Sequence, residues 1–193
     1  MRLLSFVLIL FSLTGCSGKT DTGTCDSPAT PSVGMPDTHC GDRVVTVDPA
    51  QCTATDTSSD ADTDTGMGMG DYGATMYGTS GNDDDCKYAV TWSATDICEN
   101  NDVTFTLGVT ALADGAAVTG ADPNIEAYLT ATPTHLAPNS GQATTELGGG
   151  QYSIGPVHFD ASGAWTVRFH LFEDCADAET SPHGHAAFSI DVP

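Results

Sequence analysis

The stretch that decides the fold is GAWTVRFHLFEDC (163–175), which a short polar loop joins to SPHGHAAFSIDV (181–192). In both arms large apolar residues alternate with small or polar ones, with the two-residue period of a β-strand. Trp165, Phe169 and Phe188 share the apolar face of this pattern. The sequence therefore predicts an antiparallel hairpin whose apolar face closes a core.

Short strand-like stretches recur at regular spacing upstream of the hairpin. They lie near residues 88–92, 103–109, 125–129, 144–147 and 152–154, and turn signals separate them. No stretch shows helical periodicity of useful length. Six or seven short strands without helices are typical of a two-sheet β-sandwich, which we predict over residues 86–193. Its large core residues are expected to be Trp92, Phe105, Trp165, Phe169 and Phe188.

The N-terminus has the pattern of an export signal. Arg2 precedes a largely apolar run of 11 residues, which is too short to cross a bilayer. The run ends in LTGC (13–16), which resembles the lipobox of bacterial lipoproteins, so residues 1–15 are expected to be removed and Cys16 acylated. Ser17 favours the outer membrane, by resemblance to enteric lipoproteins. An ordinary secretory signal with a chance cysteine is the alternative.

Three segments separate the signal from the sandwich. Residues 16–24 are small and polar and predict a tether. Residues 25–52 form a small cysteine-bearing segment with one short strand near Val44–Val47, which must be stapled to or docked on the main domain. Residues 53–85 contain eight Asp and no Lys or Arg, which predicts a disordered acidic linker.

Two groups in this linker have alternative interpretations. Met67, Met69 and Met76 either pad the segment or lie against the domain, or they present soft thioether sulfur to Cu(I). The run 83–85 of three aspartates is interpreted as solvated charge, because no EF-hand spacing accompanies it as a Ca²⁺ site would require.

Six cysteines follow Cys16, and an even number in an exported chain predicts three disulfides. Fifteen connectivities are possible. A Cys98–Cys175 bridge is the leading expectation, with Cys86 pairing into the N-terminal segment, which contains Cys25, Cys40 and Cys52.

Composition excludes several classes of function. The formal charge of −21 disfavours nucleic acid and anionic headgroups as partners and favours solubility and cations. The chain contains no GxSxG, no HExxH and no phosphate-binding glycine loop. We therefore expect a protein that is not an enzyme.

Histidines of the closing hairpin are the candidate metal ligands. His183 and His185 are two residues apart and face the same way on a strand, and a loop near 173–182 places His170 opposite His185. Three imidazoles so placed suit Zn²⁺ or Cu²⁺, with His135 as a fourth candidate from the loop after the third strand. The alternative is ordinary exposed or hydrogen-bonded histidines, since a one-residue slip in register would separate His170 from His185.

The pattern from Tyr88 to Val192 resembles the YtkA-like family of exported domains. The resemblance lies in DVTFTLGVTALADGAAVTGA (102–121), in GGGQYSIGPVHFDASGAWTVRF (148–169) and in the terminal strand. It implies an immunoglobulin-like β-sandwich on the cell envelope, in a family sometimes linked to copper. Where that family has a polar loop with Met and His, this chain has TPTHLAPNS (132–140), with His135 and no Met.

Two functions are therefore expected as alternatives. The first is a non-enzymatic outer-membrane lipoprotein that binds copper or zinc through its hairpin histidines. The second is a structural or adhesive module whose sandwich binds an envelope protein or polysaccharide without metal.

Overall fold

The chain folds as an all-β, immunoglobulin-like sandwich. The computed structural model describes residues 27–48, 52, 73–173, 175 and 179–193. In these residues the strands are β1 (Thr30–Pro31), β2 (Ser80–Asn82), β3 (Tyr88–Ala94), β4 (Asn101–Ala111), β5 (Asn124–Leu129), β6 (Ala143–Gly148), β7 (Gln151–Phe159), β8 (Gly163–Leu171) and β9 (Gly184–Val192).

Two antiparallel sheets form the layers of the sandwich. The four-stranded sheet has the order β1-β9-β8-β5, and the five-stranded sheet has the order β2-β3-β4-β7-β6. The closing hairpin, β8 and β9, is the centre of the four-stranded sheet. Its register runs from the pair Gly163–Val192 to the pair Leu171–Gly184. The fold class predicted from strand spacing is confirmed, and two short strands, β1 and β2, add to the seven expected ones.

The apolar faces of the two sheets meet in one aromatic core. Four of its rings, in Phe105, Trp165, Phe169 and Phe188, have no exposed surface, and Trp92 is almost as buried. Phe105 and Phe169 come from opposite sheets, and their ring centroids lie 5.8 Å apart in an edge-to-face arrangement. The large core residues predicted from alternation are thus the ones that the structure buries.

β7 has a local irregularity at its glycine–proline pair. The peptide bond between Gly155 and Pro156 is cis. Pairing between β4 and β7 shifts register here, with Val103 opposite Val157 but Phe105 opposite Ile154. One more residue is therefore accommodated in β7 than in β4, which is a β-bulge.

The N-terminal segment pairs along the free edge of the hairpin, beside β9. β1 pairs with β9, and the Ser32 hydroxyl donates to Asp191 at 3.0 Å. The strand predicted near Val44–Val47 is wrong, because these residues belong to neither sheet. Single hydrogen bonds hold them instead, such as Val45 N–H to the Cys86 carbonyl at 3.0 Å. β9 therefore has strand partners on both sides, β8 and β1, and its side chains are buried on both faces over most of its length.

The acidic segment predicted as a linker ends earlier than residue 85. β2 pairs with β3 in the five-stranded sheet, and Met76 makes a parallel bridge to Phe188 of β9. The Met76 side chain is buried in the core cluster, so it lies against the domain. Residues 73–85 are thus part of the sandwich, because backbone pairing and one apolar anchor offset their polar composition. Met67 and Met69 lie outside the described residues.

Two disulfides attach the N-terminal segment to different parts of the sandwich. Cys40 pairs with Cys86, just before β3, and Cys52 pairs with Cys175, in the loop between β8 and β9. The expected Cys98–Cys175 bridge is therefore wrong. Cys98 is itself disulfide-bonded. The expected closeness of two loops favoured Cys98 as the partner of Cys175. In the structure the docked N-terminal segment brings Cys52 to the loop of Cys175 instead.

Cys16 and Cys25 lie outside the described residues, as do the predicted signal peptide and the predicted tether. Across the described ranges, no helix has the length and apolar character required to cross a membrane.

Candidate metal centre

The centre of the candidate site is a cross-strand pair of histidines at the end of the hairpin. His170 is the penultimate residue of β8 and His185 the second residue of β9, and the register places them directly opposite each other. Their ring centroids are 4.7 Å apart, edge to face. The loop length therefore predicted the register correctly, and both imidazoles are largely buried rather than exposed.

A carboxylate completes a compact group of three donors. Glu173 follows β8 in the loop, and its Oε2 lies 2.9 Å from His170 Nδ1. One ligand atom each from His170, Glu173 and His185 lies within 4.8 Å of the other two. Donors that close are within reach of one ion, which needs nitrogen and oxygen atoms at about 2.0–2.2 Å.

Two further carboxylates face the same imidazoles from other directions. Glu126 Oε2, on β5, lies 3.7 Å from His170 Nε2 and also accepts a hydrogen bond from Arg168 at 2.8 Å. Asp84 Oδ2 lies 3.3 Å from His185 Nδ1, and Asp84 Oδ1 accepts from the His185 backbone N–H at 2.7 Å. Each ring is thus held by a carboxylate on one nitrogen, which is how metal-binding histidines are usually oriented.

The electrostatics of the group favour positive charge. Burial alone lowers the pKa of His170, but hydrogen bonds to Glu126 and Glu173 outweigh it and raise that pKa above its ordinary value. The hydrogen bond from His170 lowers the pKa of Glu173, although burial opposes it. Burial raises the pKa of Asp84, but hydrogen bonds from His185 reverse the shift. The surrounding carboxylates thus favour a positive charge at this group of side chains.

His183 and His135 lie at different distances from the donor group. The His183 ring packs edge to face on His185, with centroids 4.4 Å apart, so it borders the donor group without belonging to the compact set. His135 lies against Trp165, near the opposite end of β8 from His170, and contacts Asp160 at 2.8 Å. The expectation that His135 joins the hairpin histidines is therefore wrong: its loop returns to the other end of the sandwich.

The three aspartates before β3 are structural rather than solvated. Asp83 is fully buried, and its Oδ1 accepts hydrogen bonds from the backbone N–H groups of Lys87 and Tyr88 at 2.7 Å each. Lys87 is also buried, and its ammonium contacts Asp85 at 2.5 Å and donates to the His183 carbonyl at 2.9 Å. A lysine ammonium is therefore the cation of this cluster, and the interpretation as a solvated run is wrong.

Sequence reasoning missed the carboxylates of the site. Glu173 has a usable signal in the sequence, since it lies three residues after His170. Glu126 could be found only by knowing that β5 lies beside β8. Asp84 had no recognisable signal, because it sits in a low-complexity acidic stretch.

The donor set has a definite chemical character. Two neutral imidazoles and one carboxylate are ligands that suit borderline divalent ions such as Zn²⁺ and Cu²⁺. Hard ions such as Ca²⁺ and Mg²⁺ need six or more oxygen ligands, counting water, and the two nitrogens here do not meet that preference. The residues therefore fit a transition-metal ion better than an alkaline-earth ion.

No family model, no curated protein and no solved structure matches this chain in sequence or structure comparison.

Proposed function

We propose that this chain is a non-catalytic cell-envelope lipoprotein, anchored through Cys16, whose YtkA-like sandwich binds Zn²⁺ or Cu²⁺ at the end of the closing hairpin. The observation that carries the metal part is the set of three donor atoms from His170, Glu173 and His185 within 4.8 Å of one another. The formal charge of −21 supports it, since an acidic surface raises the local concentration of cations.

The site holds the ion through groups already oriented for it. The Nδ1 atom of His170 faces Glu173, while Glu126 and Asp84 hold the opposite sides of the two rings. The ion would therefore be bound by His170 Nδ1, His185 Nε2 and the Glu173 carboxylate. His183, whose ring borders His185, is the nearest candidate for a fourth ligand. The acidic neighbours raise the pKa of His170, so a proton and the ion compete for this imidazole.

Replacing both hairpin ligands tests the metal site. We expect the mature chain to bind Zn²⁺ and Cu²⁺ with micromolar or tighter affinity, measured by calorimetric titration with each ion alone. A His170→Gln/His185→Gln double variant should bind at least about 100-fold more weakly, because losing an orienting partner alone typically costs 10–100-fold.

A matched control separates this site from general histidine binding. His135→Gln/His158→Gln removes the same number of imidazoles from other parts of the sandwich. It should leave the affinity unchanged. Lack of micromolar binding by the unaltered chain, or equal weakening in both double variants, would contradict the metal site.

Membrane attachment is tested separately at Cys16. In a bacterial host that acylates lipoproteins, the unaltered chain should sediment with membranes. Cys16→Ser should leave it in the soluble fraction, because the thiol is the attachment point of the acyl chains. Ser17→Ala is the control and should still sediment. Membrane association that survives Cys16→Ser would rule out the lipid anchor.

A further inference from the structure

A second group of metal-binding side chains lies at the corner where the N-terminal segment meets β3. One donor atom each from His39, Cys40 and Cys86 lies within 4.8 Å of the other two. His39 Nε2 is 3.3 Å from Cys40 Sγ. Both cysteines are buried and are joined in a disulfide, so the sulfurs are oxidised in this state.

The imidazole of this group is held in place by a carboxylate. Asp37 contacts His39 Nδ1 and accepts a hydrogen bond from its backbone N–H at 3.1 Å. The other Asp37 oxygen accepts from the Asn82 backbone N–H at 2.9 Å, which ties the carboxylate to β2. Nε2 is thereby directed toward the sulfur and toward the Asp83 carbonyl, 2.9 Å away. A carboxylate on the far nitrogen is the usual support of a metal-binding histidine.

The backbone of Cys86 has an unusual conformation at this corner. Its φ of 62° is in the left-handed region, which costs a residue with a side chain about 1 kcal/mol or more. Such strain persists only where the surroundings fix it, and it is concentrated at sites with a specific role. Here it brings the Cys86 sulfur to Cys40 and to the His39 ring.

We propose that reduction of the Cys40–Cys86 disulfide converts this corner into a second metal site, where two thiolates and His39 bind Zn²⁺ or Cu(I). A dithiol reductant supplies two electrons and two protons, and its own sulfurs become a disulfide. The ion then binds Cys40 and Cys86 as thiolates, and their two protons go to solvent. Thiolate and imidazole ligands are those that Zn²⁺ and Cu(I) prefer.

The geometry requires only small movements. Zinc bonds of about 2.3 Å to sulfur and about 2.0 Å to nitrogen place a sulfur and a nitrogen about 3.5 Å apart, and two sulfurs about 3.8 Å apart, in a tetrahedron. The 3.3 Å between His39 Nε2 and Cys40 Sγ is close to the first value, and the two sulfurs can move apart once their bond is broken. Because Cys40 and Cys86 come from the N-terminal segment and from the sandwich, the ion would keep the two joined in the reduced state. The corner is then cross-linked under either redox condition.

Co²⁺ is the probe that tests this site, because only sulfur ligands give an intense sulfur-to-cobalt charge-transfer band. The mature chain is reduced with a phosphine, desalted without oxygen and titrated with Co²⁺. We expect the band in the reduced chain and not in the oxidised chain. It should be lost in Cys40→Ser/Cys86→Ser, although the other cysteines of that variant are also reduced.

A His39→Gln variant keeps the test decisive even if reduction loosens the fold. Both thiols remain in it, so the band should persist with at least ten-fold weaker Co²⁺ affinity. A band of unchanged affinity in His39→Gln, a band that survives in Cys40→Ser/Cys86→Ser, or no band in the reduced chain would overturn the proposal. The hairpin site has no sulfur ligand, so its success or failure leaves this result unaffected.

Discussion

Replacing Asp83 with asparagine is expected to make the free energy of unfolding less dependent on pH. The unaltered chain should lose about 4 kcal/mol of stability between pH 4 and pH 7 because of Asp83, and the variant should not. Burial, reinforced by the nearby charges of Asp84 and Asp85, raises the pKa of Asp83 from 3.8 to about 7, against the opposing effect of two backbone hydrogen bonds. A rise of roughly three units corresponds to about 4 kcal/mol at 1.36 kcal/mol per unit.

The direction of the effect follows from proton binding. The folded chain holds the Asp83 proton more tightly than the unfolded chain, so this group contributes its full stability below pH 3.8. The contribution is lost as pH rises through about 7. Asparagine keeps the Oδ1 acceptor for Lys87 and Tyr88 but carries no charge at any pH. It should therefore be nearly neutral at pH 4 and stabilising at pH 7.5.

Urea unfolding at several pH values checks this expectation. The difference in unfolding free energy between the two chains is the quantity to follow, because other ionisable groups contribute equally to both. Asp42→Asn makes the same chemical change in an exposed turn and is the control for the substitution itself. A pH-independent difference for Asp83→Asn would show that folding does not raise the pKa of Asp83.

Replacing Lys87 with methionine is expected to destabilise the fold by about 2–4 kcal/mol. Methionine is close in volume, so the main change is loss of the ammonium. That loss removes the contact of the ammonium with the Asp85 carboxylate and the hydrogen bond that Lys87 donates to the His183 carbonyl. Breaking a fully buried ion pair costs about 3–5 kcal/mol, and Asp85 is partly exposed, which reduces the penalty.

A double-mutant cycle measures how much of this cost belongs to the pair. Lys87→Met, Asp85→Asn and the double variant are compared by urea unfolding at pH 7. We expect the double variant to be more stable than the sum of the single changes predicts, since the uncompensated carboxylate is gone. Strict additivity would mean that the ammonium acts through other contacts.

The fold was predictable because its signal is local and repeated. Alternation in β8 and β9 fixed which side chains enter the core, and turn residues separated the strands. The histidine register followed from the same logic, since loop length sets which residues of a hairpin face each other. Trp165, Phe188 and the pair His170–His185 all lie where these rules place them.

The site carboxylates and the disulfide pairs could not be predicted, because they depend on contacts between residues distant in sequence. Asp84 reaches His185 across 101 residues, and Cys52 pairs with Cys175 across 123. Neither contact produces a periodic pattern in the sequence. Composition alone predicts that the acidic run at 83–85 is solvated. In the structure, one buried lysine and several backbone N–H groups are partners for these carboxylates, which allows them to be buried.

The residues paired along β9 affect how two copies of the chain can associate. A bare sheet edge is a template to which a strand of another copy can add. β1 and the Met76 bridge occupy the side of β9 away from β8, so the chain supplies its own neighbour for the strand that carries AAFSIDV (186–192). β1 and Met76 thus hinder the addition of a strand from a second copy along this side of β9.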